Sequence, residues 1–327
     1  MPLSNASTRC ANVSTGRLRP SKLLQRRVRR CALDYGQRQR CSALLYLSPI
    51  YAMFRHCLPF LVTSLLAALP GWAQSAPPAI RWQQLEPGLQ LGEYVPTLKS
   101  DIGDSKITIL RVDPKVYAFR LLESVQFKDQ HRTAAQWCQQ QKLVACINAG
   151  MYKPDGRADG YMRNGKLLNN PTFNANNNLL AFGPTDGQQP EIKLIDRACE
   201  ADWEQQARRY RACSQSIRMI DCQRQNSWAP QPRRWSSAVW GMDKEGQALL
   251  IFCRSPYTMH DYVDILLNSP LNLQQAMYLE GGPEASLYVK SGATARNLFG
   301  SYETGFNEND NTKEAFALPN VIGVVKK

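Results

Sequence analysis

The chain has 327 residues, 43% of them hydrophobic, which is enough for one sizeable core, and a formal charge of +13. That charge invites a nucleic-acid reading until it is located: residues 1–73 hold eleven Lys and Arg against a single acid, Asp34, and so carry +10 of the total. The rest of the chain is close to balanced, and no nucleic-acid partner is expected of it. Residues 1–52 read as a basic arm outside the mature protein. Residues 53–73 read as an export signal: Met53-Phe54-Arg55-His56 is a basic start, Leu58 to Leu69 an apolar run, and Pro70-Gly71-Trp72-Ala73 a small-residue cleavage site. The run is shorter than the roughly 20 residues a bilayer span needs. The mature form is therefore expected to be exported, periplasmic or extracellular, with no stable membrane span.

Residues 79–327 read as one domain. Leu89 to Tyr94, Ile107 to Val112 and Tyr117 to Leu122 are early strands, the last two separated by the turn Asp113-Pro114. Thr133 caps a short helix, and Leu143 to Ile147 is a buried strand ending at Asn148-Ala149-Gly150. Asn164-Gly165 suits a type I′ hairpin turn. Strands follow around Leu179 to Phe182 and Ile192 to Ile195, and residues 197–232 read as a partly helical insertion. Ser237 to Met242 and Ala248 to Cys253 pair around Asp243-Lys244-Glu245-Gly246. Ser255-Pro256 opens a helix whose Met259, Tyr262, Val263 and Leu266 share one face. Gln275 to Leu279 ends at Glu280-Gly281-Gly282, and Ser286 to Val289 and Val321 to Val325 complete the strands. The class expected is α+β, with a mixed β-sheet core and few helices.

Six cysteines lie beyond residue 73, namely Cys138, Cys146, Cys199, Cys213, Cys222 and Cys253. An even count fits disulfides in an oxidising compartment, with the pairing open among 15 connectivities. At least one staple is expected within Cys199, Cys213 and Cys222. The absence of Cys-x-x-Cys, His-Glu-x-x-His and Gly-x-Ser-x-Gly patterns, and of a glycine-rich nucleotide loop, disfavours zinc, serine-hydrolase and nucleotide chemistry. No metal ligand set and no cofactor is read.

Two strand ends carry chemistry-bearing residues. At Asn148-Ala149-Gly150-Met151-Tyr152 a polar side chain ends an apolar strand. At Glu280-Gly281-Gly282-Pro283-Glu284-Ala285-Ser286 a carboxylate ends a buried strand and two glycines expose backbone N–H groups. The order of these motifs resembles the phosphodiester glycosidase family. Asn148 to Tyr152, Gly160, Asn164-Gly165, Ser237-Ala238, Asp243-Lys244-Glu245-Gly246, the helix from Ser255, and Leu279-Glu280-Gly281-Gly282 with Ser286 follow its pattern. The chain departs from that pattern in three places. Glu280 stands where the family has Asp, Arg234 lies two residues before Ser236 instead of beside the Ser-Ala pair, and Pro283 and Glu284 replace small residues.

The resemblance implies hydrolysis of a sugar-1-phosphodiester, releasing the sugar and a phosphomonoester, on a carbohydrate or glycan-phosphodiester substrate. Glu280 is the first candidate for the catalytic carboxylate and Asp243 the second. Asn148 and Ser286, with Gly150, Gly281 and Gly282, are placed around sugar hydroxyls. Arg163, Arg234 and Arg254 are candidates for phosphate, and Ser255 and His260 for the substrate side of the helix. The alternative is a non-catalytic module that binds envelope glycans on the same scaffold.

Overall fold

The computed structural model describes residues 78–327. The arm and the export signal read from residues 1–73 lie outside them. The elements in chain order are β1 (Arg81–Glu86), β2 (Leu89–Tyr94), β3 (Ile107–Val112), β4 (Tyr117–Glu123), α1 (Ala134–Gln141), β5 (Ala145–Asn148), β6 (Met162–Asn164), β7 (Leu167–Asn170), β8 (Asn178–Pro184) and β9 (Ile192–Asp196). They continue with α2 (Trp203–Arg208), β10 (Tyr210–Ile220), β11 (Arg234–Asp243), β12 (Ala248–Thr258), α3 (Met259–Leu267), β13 (Leu273–Gly281), β14 (Ser286–Ser291), β15 (Thr294–Phe299) and β16 (Asn320–Lys326). The protein is mostly β, in a single sheet-rich domain.

The strands form two sheets. The larger runs β1-β2-β3-β12-β11-β13-β10-β6-β7, with β8 joined to β10 and β9 to β8; the smaller runs β15-β14-β5-β16-β4. Side-chain alternation decides the layering. Leu110, Trp240 and Leu250 of the larger sheet meet Ile147, Leu287 and Ile322 of the smaller one in the main core. Their neighbours Ile109, Val239 and Ile251 point the other way, to the face covered by Met259, Tyr262, Val263 and Leu266 of α3. On the outer face of the smaller sheet, Trp137 and Cys138 of α1 cover Cys146 and Val321. The result is a helix, two sheets and a second helix in layers.

Four expectations need correction. The sheets are not mixed: every strand pair among the described residues is antiparallel. Residues 197–232 are not an insertion, because β10 runs through them and pairs with β6, β8 and β13. The hairpin between β6 and β7 pairs Asn164 with Leu167, so its turn residues are Gly165 and Lys166, of which only Gly165 has positive φ (62°). That is the pattern of a type II′ turn, with glycine first.

The fourth correction concerns the helix start. Ser255-Pro256 does not open α3: β12 continues through them, and Thr258 caps the helix by accepting from the Asp261 amide. Beyond Cys253, β12 has lost its partner β3 and pairs with β11 alone. Its outer edge therefore asks for no donor, which is where a strand tolerates proline.

Candidate active site

β13 and β11 shift register between Ala238 and Val239: Ala238 faces Glu280 and Val239 faces Tyr278. Leu279 is thereby left without a partner, a bulge of the kind that re-aims side chains at a strand end. The chain then bends sharply. Gly281 lies against the Tyr278 hydroxyl and the Trp235 ring, with no room for a Cβ, and Gly282 (φ +59°) lies against the Glu303 carboxylate. A short 3-10 turn, Gly282–Glu284, leads on to β14 in the other sheet.

Asn148, at the end of β5, fastens this crossover. Its Nδ2 donates to the Glu284 carbonyl (3.0 Å) and its Oδ1 accepts from the Ser286 amide (2.7 Å). Ser286 is fully buried and its hydroxyl donates to the same carbonyl at 3.3 Å. Gly150 (φ +128°) turns the chain out of β5 toward Met151 and Tyr152. Asn148 and Ser286 therefore hold the Glu280–Glu284 turn in place.

The turn gathers carboxylates. Glu280 is 8% exposed, and its Oε1 accepts only from its own neighbour, the Gly281 amide, at 3.2 Å. Burial pushes its pKa well above the ordinary glutamate range, and the charges of Glu284, Glu303 and Asp159 push it the same way. Glu284 is half-buried. Burial raises its pKa too, while the Tyr152 hydroxyl opposes the rise and Glu303 adds to it. Tyr152 in turn is raised by burial and by facing Glu284 and Glu280. Among the described residues, neither Glu280 nor Glu284 is in an ion pair. Glu303 has Arg233 at 3.7 Å.

Aromatic rings wall the other side. Trp228 and Tyr278 meet edge to face at 5.6 Å, and Trp235 lies 6.4 Å from each of them. Arg233 carries its guanidinium 5.9 Å above the Trp235 ring and keeps 59% of its side chain in solvent. Acids, rings and one exposed cation thus converge at the end of β13.

Of the candidates read from the sequence, the structure brings Glu280, Gly281, Gly282, Asn148, Ser286 and Gly150 together. Asp243 lies elsewhere, and the others have partners of their own. Asp243 faces Leu273 at the opposite end of the strand pair, five residues from Ala238 and so about 17 Å away at the rise of a strand. Arg163 donates to the Ala207 and Tyr210 carbonyls, both at 2.9 Å, and ties down α2. Arg234 is paired with Asp101 and lies over Tyr302. Arg254 binds Asp310 at 2.6 Å and the Phe299 and Thr312 carbonyls. Ser255 sits on β12, with β11 between it and β13, and accepts from the Ser105 amide at 2.8 Å. His260 turns its ring to Asp264 (3.6 Å) and Asp261 (3.8 Å) of its own helix.

Sequence reasoning missed Glu303, Asp159, Trp228, Tyr278 and Arg233 as parts of the site, and took Glu284 only as a departure. Their one available signal was the clustering of Trp235 and Arg233 beside a matched motif. No metal set emerges at these acids. Among the described residues, ligand-like spacing groups Asp196 with Cys199 and Cys222, whose sulfurs are joined in a disulfide.

The comparisons with known proteins bear on this geometry. The phosphodiester glycosidase family model matches residues 141–325, which span both strand ends. Among solved structures, the chain is similar to the catalytic domain of zebrafish N-acetylglucosamine-1-phosphodiester alpha-N-acetylglucosaminidase, held auto-inhibited by its pro-peptide. The TM-score is 0.53 at 10% identity, covering 77% of this chain and 89% of that one. A protein from Synechocystis is similar with a TM-score of 0.50 at 13% identity, covering 77% of this chain and 64% of that one. At such identities the likeness is one of fold. No curated protein sequence matches the chain. The family match covers more than half of the chain and takes in the turn on which the acids converge, and the chain belongs to the phosphodiester glycosidase family.

Proposed function

We propose that the protein is an exported hydrolase that cleaves a sugar-1-phosphodiester, with Glu280 as its principal catalytic carboxyl group. The observation that carries this reading is the placement of Glu280. It ends a bulged strand, is almost wholly buried among like charges, and stands beside a wall of Trp228, Trp235 and Tyr278. A carboxyl group whose pKa is held high keeps its proton near neutral pH and can donate it. Hydrolysis breaks the bond between the anomeric carbon and the bridging oxygen. The water oxygen takes that place on the sugar, and the proton it gives up is matched by one gained on the departing phosphomonoester. Indole faces suit the apolar face of a sugar ring. Arg233, which meets Glu303 at 3.7 Å and keeps 59% of its side chain in solvent, is the cation proposed to meet phosphate oxygens at this wall. The disulfide Cys199–Cys222 supports the exported location.

One observation favours the glycan-binding module. The three arginines expected at the phosphate are all engaged elsewhere, and the family's Asp is a longer Glu here. A panel of sugar-1-phosphodiesters separates the two readings. The protein should release free sugar from at least one of them, and Glu280→Gln should slow that release by about 10²–10⁴-fold. Binding of the panel with no sugar released would overturn the enzyme reading in favour of the module.

A further inference from the structure

Resting on that reading, we propose that Glu284 is the second carboxyl group of the site and works with Glu280, the buried Glu280 as donor and the half-buried Glu284 as base. Three features fix its geometry. Glu280 and Glu284 stand at the two ends of the Gly281-Gly282-Pro283 bend, whose tight turn needs the positive φ of Gly282. The backbone at Glu284 is clamped from the other sheet by Asn148 and again by the Ser286 hydroxyl. The Tyr152 hydroxyl, carried past Gly150 from the end of β5, faces the Glu284 carboxylate.

The charges around the two carboxyls differ in the sense this division needs. Glu280 is the more deeply buried, and Glu284, Glu303 and Asp159 all disfavour its ionised form, with only the Gly281 amide opposing them. Glu284 is more exposed and has the Tyr152 hydroxyl in favour of its charge, against burial and Glu303. Arg233 is turned to Glu303. A proton favours whichever of the two carboxyls has the surroundings worse for charge. In turnover Glu280 passes its proton to the bridging oxygen as the bond to the anomeric carbon breaks. Glu284 takes a proton from the water whose oxygen bonds that carbon. Glu284 then loses its proton to solvent, Glu280 takes one up, and the site is reset.

The test titrates the side-chain carboxyls of the full chain by carbon-13 NMR and measures kcat/KM against pH. In Glu284→Gln the midpoint of Glu280 should fall toward the ordinary glutamate range. In the same variant kcat/KM should drop about 10²-fold or more, and the limb of the profile on the acid side should disappear. Tyr152→Phe should raise the midpoint of Glu284, and this keeps the question open to an answer should the glutamine variant fold poorly. A Glu280 midpoint that ignores Glu284→Gln, or a profile merely scaled down with both limbs in place, overturns the pair and leaves the glycosidase reading standing. Failure of the unmodified protein to hydrolyse any substrate sinks the glycosidase reading, while the titration still decides whether the two carboxyls are coupled.

Discussion

Glu280 and Asp243 are both buried carboxyls at ends of the β11–β13 pair, and the protein treats them in opposite ways. Asp243 is enclosed by partners: its Oδ1 accepts from the Glu245 and Gln247 amides at 3.0 and 2.8 Å, and its Oδ2 meets Arg111 at 2.7 Å. Burial still raises its pKa, but those amides and Arg111 pull it back. Glu280 has one weak amide and three like charges. A buried charge that is fully partnered serves the fold. One left among like charges costs stability and persists where it has work to do. Sequence alone ranked the two as neighbours in function because both end matched motifs.

Exchanging each carboxylate for its amide gives the widest separation. Glu280→Gln should cost activity by the factor given above, yet leave the melting temperature unchanged or raise it, since the amide is neutral at every pH and the buried carboxyl only while protonated. Asp243→Asn should leave turnover of the folded protein intact and cost about 2–3 kcal/mol by leaving Arg111 the more distant Glu245, at 3.5 Å. Urea melts and kcat on the two variants check both halves. If Asp243→Asn abolishes turnover at unchanged stability, the division between the two ends is wrong.

A third buried carboxyl sharpens the contrast. Glu123 ends β4 in the smaller sheet and is fully buried, with Asn169 and Asn164 beside its carboxyl. Burial pushes its pKa from 4.5 to about 7, with Asn169 and Asn164 restraining the rise. A raised carboxyl stabilises the fold fully below its unfolded value and loses that contribution as pH climbs through the folded one. Stability should therefore fall by about 3 kcal/mol between pH 4.5 and pH 7 on account of Glu123, with Glu280 adding in the same sense. Glu123→Gln should remove that share of the slope, read as denaturant midpoints across the range. Were the slope to stay the same, Glu123 would have a partner in solution that satisfies its charge.

What could be read from the sequence follows from where physics is local. Ile107 to Val112 and Ser237 to Met242 alternate or run apolar, and both are strands. β10 was hidden because Ser214, Gln215 and Ser216, polar on paper, are buried at its centre. Ser214 donates to the Ala149 carbonyl, and Gln215 accepts from the Tyr161 amide at 2.9 Å and donates to the Asn176 carbonyl at 2.6 Å. Such satisfaction comes from distant segments and leaves no periodic trace. The site divides in the same way. Asn148 and Glu280 stand out as polar ends of apolar strands. Glu303 and Asp159 reach the site on loops about 140 residues apart, and only the folded chain brings them near Glu280.

The smallest effect is expected where the molecule touches neither end of the strand pair. Cys199 and Cys222 close a loop across 23 residues, holding α2 and β10 beside β9. Inside it Arg218 donates to both oxygens of the fully buried Asp196, at 3.1 and 3.0 Å. The end of β10 nearest Cys222 is also anchored by β13, with Ile217 facing Tyr278 across the sheet. Removing the bond should therefore cost about 2 kcal/mol through the freedom returned to the unfolded chain, while the aromatic wall keeps its register. Melting of the Cys199→Ala/Cys222→Ala protein should fall accordingly, with activity retained below the new midpoint. Loss of activity at an unshifted midpoint would mean that the disulfide governs the placement of Tyr278, joining two regions that the geometry separates.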